Sequence, residues 1–212
     1  MLEYAKLNPD KLFVQKNSNH RGIKIEPLDQ LDLKSNGSFI QEFVQDPMLI
    51  DGYKFDIGVY TYITSIDPLR IYVYNGDCLV RFCPKKYHPF DQTDRDKYVV
   101  HDDYRPTWEV PILAKIYSDL GYTFKETLNS HIRSVMGPEA PAKMWNTIYD
   151  IIRDVYTSKE KDYLKAINKY PHKRAFFEMV RFDFVLDAKM NIYLMEVNMS
   201  PNLSSKHFAG NR

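Results

Sequence analysis

Two carboxylates and an amide stand near the C-terminal end of the sequence at a spacing that can bring them together. Residues 176–199 read FFEMVRFDFVLDAKMNIYLMEVNM, two apolar-rich runs joined near Asp187-Ala188-Lys189-Met190-Asn191. Side chains two apart on a strand share a face. Val180, Phe182, Phe184 and Leu186 therefore form one apolar face, and Tyr193, Met195 and Val197 another. The faces coincide when the connecting loop holds an even number of residues. A two-residue turn at Ala188-Lys189, or a four-residue loop with the same centre, pairs Phe182 with Met195 and Phe184 with Tyr193. Asp183, Glu196 and Asn198 then project together from the opposite face. Two carboxylates and an amide oxygen are hard donors, suited to Mg²⁺ beside phosphate oxygens. Taken alone, the same pattern is more often the solvated face of a hairpin.

Phosphate chemistry needs cations as well. Lys16 ends a strand and faces a polar loop that carries Arg21-Gly22, where loop amides and a guanidinium can add directed donors. Lys54 and Asp56, two apart in Tyr53-Lys54-Phe55-Asp56, share another strand face. Each is weak evidence alone, because surface Lys and Asp are abundant.

The elements that must position these residues are mostly strands. Leu12-Phe13-Val14 and Ile23-Lys24-Ile25 flank the polar loop as a β-hairpin, and Phe39 to Val44 is a further short strand. Val59–Thr64, Leu69–Tyr74 and Leu79–Phe82 are rich in β-branched and aromatic residues. Asp67-Pro68 and Asn75-Gly76-Asp77 between them are turn signals, so an antiparallel meander is expected. Residues 84–107 are polar and proline-containing, a long loop of the functional or mobile kind. Three helices are expected next. The first is capped by Thr107 and stops at Gly121, and the second runs from Lys125 to Met136 and ends at Gly137-Pro138. The third carries Met144, Trp145, Ile148, Tyr149, Ile152, Val155 and Tyr156 at helical spacing, a core stripe. Strands, helices and strands again make the chain α+β with a mainly antiparallel sheet.

The 212 residues carry Lys+Arg 29 against Asp+Glu 28, a net charge of +1. No global field recruits nucleic acid or an acidic membrane. Lys85-Lys86 and His172-Lys173-Arg174 are local basic spots, read first as solvated surface charge. No apolar run approaches the ~18–20 residues that span a bilayer. Cys78 and Cys83 are expected as two reduced thiols rather than a disulfide framework.

In combination the motifs are specific. The order is a lysine strand, an RG loop, QEFV, KFD, a long insert, and then FD…MEVNMSPNL. The stretches FIQEFVQDPMLIDGYKFDIGVYTYITSIDPLRIYVYNGDCLVRF and FFEMVRFDFVLDAKMNIYLMEVNMSPNLSS resemble the tubulin-tyrosine-ligase-like family of ATP-grasp amino-acid ligases, in a divergent branch of it. The resemblance implies an ATP-grasp-like α+β fold, incomplete at both ends and poorly soluble as an isolated segment. Residues 1–44 would close the central subdomain with its phosphate loop and adenine hinge. Residues 45–212 would form the C-terminal subdomain, with a helical insert near 107–170.

It also implies roles. Lys16, Arg21 and Gly22 match the phosphate-binding lysine and loop, and Gln41, Glu42, Phe43 and Val44 the hinge whose backbone reads adenine. Lys54 matches the second nucleotide lysine, Asp56 a carboxylate of the same pocket, and Arg81 the arginine that holds the amino-acid substrate. Asp183, Glu196 and Asn198 match the magnesium ligands. The implied reaction uses ATP and Mg²⁺ to activate a protein carboxylate as an acylphosphate, which the amine of an amino acid, glutamate by resemblance, then attacks. Tubulin, or another acidic protein tail, is the implied acceptor. The implied setting is cytoplasmic or cytoskeletal, with a membrane anchor in preceding sequence as a further expectation.

Three departures bear on activity. Where the family carries an arginine two residues after KFD, this chain has Gly58. Loss of such a fork, uncompensated, costs ~1.5–3 kcal/mol per charged hydrogen bond. The family's HLTN-like segment is replaced by DKYVVHDDYRPTWE, so no role passes to His101 or Asp102. The residue two before Asp183 is Arg181 rather than glycine. In the register above Arg181 opposes Glu196, where a salt bridge would compete with Mg²⁺. The alternative is that Arg181 replaces the charge missing at position 58. The departures also motivate a second reading, a catalytically impaired relative that binds nucleotide or a partner.

Overall fold

The computed structural model describes residues 2–17, 23–101, 103–121, 123–170 and 176–203. Arg21, Gly22, Asp102 and His172 to Arg174 lie outside these residues. The chain runs α1 (Leu2–Leu7), β1 (Phe13–Asn17), β2 (Lys24–Glu26), β3 (Ser38–Glu42), β4 (Leu49–Ile50), β5 (Tyr53–Ile66), β6 (Leu69–Val73) and β7 (Leu79–Phe82). Helices α2 (Pro111–Asp119), α3 (Phe124–Met136) and α4 (Ala140–Ile167) follow, then β8 (Glu178–Leu186) and β9 (Ile192–Met199). It is an α+β fold with antiparallel sheets, of ATP-grasp-like kind. Among the described residues no helix is long and apolar enough to cross a membrane.

A small sheet has the order β2-β1-β3. The β1–β2 hairpin expected around the polar loop is present and pairs Val14 with Ile25. The larger sheet is built on β5, a strand of 14 residues. It is entered through a two-residue hairpin at Asp51 (φ 51°) and Gly52 (φ 81°), the left-handed pair that such a turn requires.

The expected meander does not form. Gly58 pairs with both Leu79 of β7 and Asp183 of β8, and Thr61 pairs with both Val73 of β6 and Val180 of β8. Strands β6 and β7 therefore follow one another along one edge of β5, while β8 and then β9 extend the other. A strand this long, about 45 Å at ~3.3 Å per residue, accommodates two short partners in succession.

One face of this sheet is apolar. Ile57, Val59, Val80, Phe82, Val180, Phe182 and Phe184 pack against Leu113, Leu128, Ile132, Met144, Ile148, Ile152 and Tyr156 of the helices. The helical stripe read from sequence is thus core. Thr107 does not cap α2: its hydroxyl is buried without a hydrogen-bond partner, and the helix begins at Pro111 after a 3₁₀ turn. Proline at a first helical position needs no donor there. Helix α3 takes its cap from a distant residue instead. Asp77 accepts the backbone N–H groups of Phe124 (3.2 Å) and Lys125 (2.8 Å). The segment from residue 84 to 106 is irregular but packed. Tyr87, Phe90 and Tyr98 surround Phe43, with Phe43 ring centroids 5.6 Å from Phe90 and 5.9 Å from Tyr98. Cys78 and Cys83 are both buried free thiols.

Candidate functional site

The site lies on the other face of the large sheet, one residue out of phase with the core. Strand β5 contributes Lys54, Asp56, Gly58 and Tyr60; β7 contributes Arg81; β8 contributes Arg181 and Asp183; and β9 contributes Glu196 and Asn198.

The β8–β9 hairpin reaches this arrangement by a route the alternation does not reveal. Its loop has five residues, 187–191, and Phe182 pairs with Val197 and Phe184 with Leu194, not with Met195 and Tyr193. Asp187 organises the loop. Its Oδ1 accepts the N–H groups of Lys189 and Asn191, and its Oδ2 accepts the Asn191 amide and the Tyr193 hydroxyl. An odd loop would turn Glu196 and Asn198 to the wrong face. A bulge at Met195, between the Phe184–Leu194 and Asp183–Glu196 pairs, restores the parity. Asp183 therefore faces Glu196 directly, but Tyr193 falls on the site side, paired with Val185. The bulge also turns out a backbone acceptor, and the Met195 carbonyl receives Lys16 Nζ at 3.2 Å.

Four side chains form a buried ionic net. Arg81 donates to Asp56 through Nε (2.9 Å) and Nη2 (2.7 Å), and Nη2 reaches Asp183 at 3.1 Å. Arg181 donates to Asp183 through Nε (2.6 Å) and Nη2 (2.9 Å). Asn198 Nδ2 donates to both Asp183 (2.9 Å) and Glu196 (2.9 Å). Asp56 and Asp183 are only 4% and 2% exposed, which makes the pairing necessary rather than decorative. Burial pushes the Asp56 carboxyl upward, the Arg81 guanidinium pulls against that, and the neighbouring Asp183 charge adds to the rise. Burial is the largest influence on Arg181 and works against its charge, but the Asp183 hydrogen bonds and charge, together with Tyr60, outweigh it and raise its pKa.

The two lysines converge from different sheets. Lys54 is buried, and Lys16 comes across from β1. Burial lowers the Lys16 pKa, the Glu196 charge opposes this, and Lys54 adds to the lowering, so all three lie within electrostatic reach. The hinge residues are spread more widely. Gln41 Nε2 donates to the Leu194 carbonyl at 3.4 Å, and Glu42 binds Lys11 (2.6 Å) and Tyr4 (2.9 Å). Phe43 is buried in the small aromatic core, and Val44 is half-buried.

Arg181 occupies neither the simple position nor the partner that the expected register gave it. It opposes Asn198, not Glu196, and its ion pair is with Asp183. Its chain lies across Gly58: a Cβ built there would fall 2.9 Å from Arg181 Cδ. Of the two readings of Arg181, a bridge to Glu196 is therefore corrected; the aliphatic stem of Arg181 lies in the space at Gly58, and its guanidinium is engaged by Asp183.

Two tyrosines join the site: Tyr60 shares the period-two face of Lys54 and Asp56 on β5, whereas Tyr104 has no such signal. Tyr60 is cross-strand from Arg181 and contributes to the rise in its pKa. Tyr104, next to the Phe82–Arg105 bridge, lies within electrostatic reach of Arg81, Asp56 and Arg181. Burial raises its pKa, Arg81 and Arg181 lower it, and Tyr60 and Asp56 raise it. Nothing in DKYVVHDDYRPTWE signals this, because it depends on an isolated bridge to β7.

The donor set fits a hard divalent cation. Among the described residues no group of three or more His, Cys, Asp and Glu is placed to hold a metal, so the third donor would be the Asn198 amide oxygen. The Asn198 NH₂ now bridges the two carboxylates, the place a cation would take, and a rotation of the amide would present its oxygen there.

The site is thus a buried, arginine-neutralised carboxylate pair with two lysines approaching from different sheets. The family model for the tubulin-tyrosine ligase family matches residues 1–209. The chain belongs to that family. It is 48% identical over 212 residues to the probable tubulin polyglutamylase ttll-15 of Caenorhabditis elegans, covering 100% of this chain and 41% of that relative. It is 30% identical over 202 residues to the human tubulin monoglutamylase TTLL4, covering 92% of this chain and 17% of the relative. The Xenopus tropicalis tubulin polyglutamylase TTLL7 is 27% identical over 226 residues, covering 96% and 23% respectively. The chain thus spans less than half the length of these relatives.

Proposed function

We propose that this chain carries the nucleotide- and cation-binding face of an ATP-dependent ligase that joins glutamate to a carboxylate of an acceptor protein, with tubulin as the acceptor. The observation that carries this reading is that Lys16 reaches from the small sheet to the Met195 carbonyl of β9, beside the face of the large sheet that holds Lys54, Asp183, Glu196 and Asn198. Lys16 and Lys54, with Arg21 and Gly22, would hold the phosphates, and Gln41 to Val44 would border the adenine. Asp183, Glu196 and Asn198 would hold Mg²⁺, which when bound supplies charge neutralisation at the transferred phosphoryl group. Lys54 would serve in the same charge stabilisation, and Asp56 would hold Arg81 toward the amino-acid substrate. Positioning and charge account for most of such catalysis. The ligase names of the relatives support the reaction class and the acceptor.

The test is transfer of labelled glutamate to purified tubulin, with ATP and Mg²⁺, by wild type and Asp183→Asn. Incorporation by wild type and its loss in the variant are expected. A parallel thermal shift by ATP and Mg²⁺ should vanish in Lys16→Ala. Equal incorporation by both proteins would overturn the assignment.

A second reading rests on one observation: both oxygens of Asp183 are already engaged by Arg181. In that reading the protein binds nucleotide without ligation. A thermal shift with ATP but no incorporation in any condition would favour it.

A further inference from the structure

The Asp183 carboxylate is crowded with donors. Oδ1 accepts Arg181 Nε, while Oδ2 accepts Arg181 Nη2, Arg81 Nη2 and Asn198 Nδ2. Each carboxylate oxygen offers roughly two lone-pair sites, so Oδ2 is over-subscribed while Oδ1 carries one donor. Three of the four donors belong to two guanidinium cations, and the closest contact, at 2.6 Å, is from Arg181. A divalent cation cannot reach Oδ2, the oxygen that Asn198 shares, without displacing a donor.

The geometry of Arg181 depends on its neighbour across the strands. Gly58 pairs with Asp183, and Tyr60 pairs with Arg181. A methyl at position 58 would meet Arg181 Cδ at 2.9 Å, Leu79 Cβ at 3.1 Å and Asp183 Oδ1 at 3.3 Å. It would be boxed in on three sides, and the Arg181 chain is the part able to move. Gly58 is thus the open lane along which Arg181 lies to grip Asp183, with Tyr60 as its cross-strand neighbour.

We propose that Gly58 and Arg181 form one positioning unit, an internal counter-cation that holds Asp183 until a divalent cation displaces it, and so sets the affinity of the site for that cation. This rests on the reading that Asp183, Glu196 and Asn198 are the cation's residues. Arg181 lowers the affinity twice over, by competing for the carboxylate oxygens and by repelling the incoming charge. It is a positioning residue, acting through Asp183.

The experiment titrates Mn²⁺ into the purified protein without nucleotide and follows free Mn²⁺ by electron paramagnetic resonance. Arg181→Met is expected to tighten Mn²⁺ binding by about tenfold, the scale of one charged hydrogen bond. Gly58→Ala should tighten it in the same direction, because the added methyl dislodges Arg181. The double variant should bind no more tightly than Arg181→Met alone, since both changes remove one contact. A merely structural role would weaken binding in every variant, and melting curves identify a variant that fails to fold. Unchanged or weaker binding in folded Arg181→Met, or additive effects of the two substitutions, overturns the proposal. Asp183→Asn separates the two readings. If it abolishes Mn²⁺ binding while Arg181→Met changes nothing, only the counter-cation falls. If it leaves Mn²⁺ binding intact, the assignment of the cation residues falls as well.

Discussion

The two faces of the six-stranded sheet are made by the same strands, one residue out of step. On β8, Phe182 is fully buried against the helices, with its ring 5.3 Å from Tyr156 and 6.4 Å from Phe184. The next residue, Asp183, is as deeply buried, but on the opposite side and held by two guanidinium groups. Burial alone therefore does not separate scaffold from site. The apolar face gains stability from area removed from water and from close packing. The ionic face spends much of its Coulomb energy on desolvation, and a net of that kind is seldom retained for stability alone.

Adjacent truncations on β8 break the comparison most sharply. Phe182→Ala should cost about 3–5 kcal/mol by emptying a core position. Asp183→Ala should cost about 3–5 kcal/mol as well, because it leaves Arg181 and part of Arg81 charged and buried without a partner. Urea unfolding measures both. The functional outcomes should diverge. Under conditions where each is still folded, Phe182→Ala should keep the thermal shift with ATP and Mg²⁺, and Asp183→Ala should lose it. If both variants keep the shift, the ionic face is not the ligand face.

The same alternation explains how much of the site is legible in the residues themselves. Period two along β5 and β8 is enough to place Lys54 with Asp56 on one strand face, and Phe182 with Phe184 on another. The apolar stripe from Met144 to Tyr156 is equally legible, because helical spacing and burial coincide there. What escapes are features set by exceptions to periodicity. The Met195 bulge leaves no trace in the apolar pattern, since two odd counts cancel. The register through Met195 and Tyr193 is wrong in pairing yet right in bringing Asp183, Glu196 and Asn198 to one face. The meander fails because strand order depends on which edge of β5 each partner finds, and turn residues do not specify that. Tyr104 and the grip of Arg181 on Asp183 are tertiary, and no local signal encodes them.

A smaller effect tests how firmly the helical layer is tied to the sheet. Asp77, just before β7, accepts N–H groups from Phe124 and Lys125 at the start of α3, and from Cys78 of its own loop. It does for α3 what a local N-cap would do, since Thr123 makes no side-chain cap bond. Asp77→Ala should cost about 0.5–2 kcal/mol, the range for lost caps, read as a lower urea midpoint. Asp77→Asn, which keeps an acceptor oxygen, should recover much of the loss. Nucleotide binding should change little in either variant, because the residue lies with the scaffold and not the ionic net.

The smallest expected effect is one of pH, and it belongs to the apolar side. His131 of α3 is buried, and burial alone lowers its pKa from 6.5. The folded protein therefore binds the proton less readily than the unfolded chain, whose histidine titrates near 6.5. In the window between the depressed folded pKa and 6.5 the unfolded state carries more protons, so stability rises with pH there. The contribution of neutral His131 is complete above 6.5 and is lost as pH falls through the folded value. Urea midpoints of wild type and His131→Gln, compared between pH 8 and pH 5, isolate this term from the carboxylates common to both proteins. Wild type should lose more stability than the variant over that interval. Parallel losses would mean that the imidazole is solvated when protonated, and that the helical layer is looser around α3 than its packing against the sheet implies.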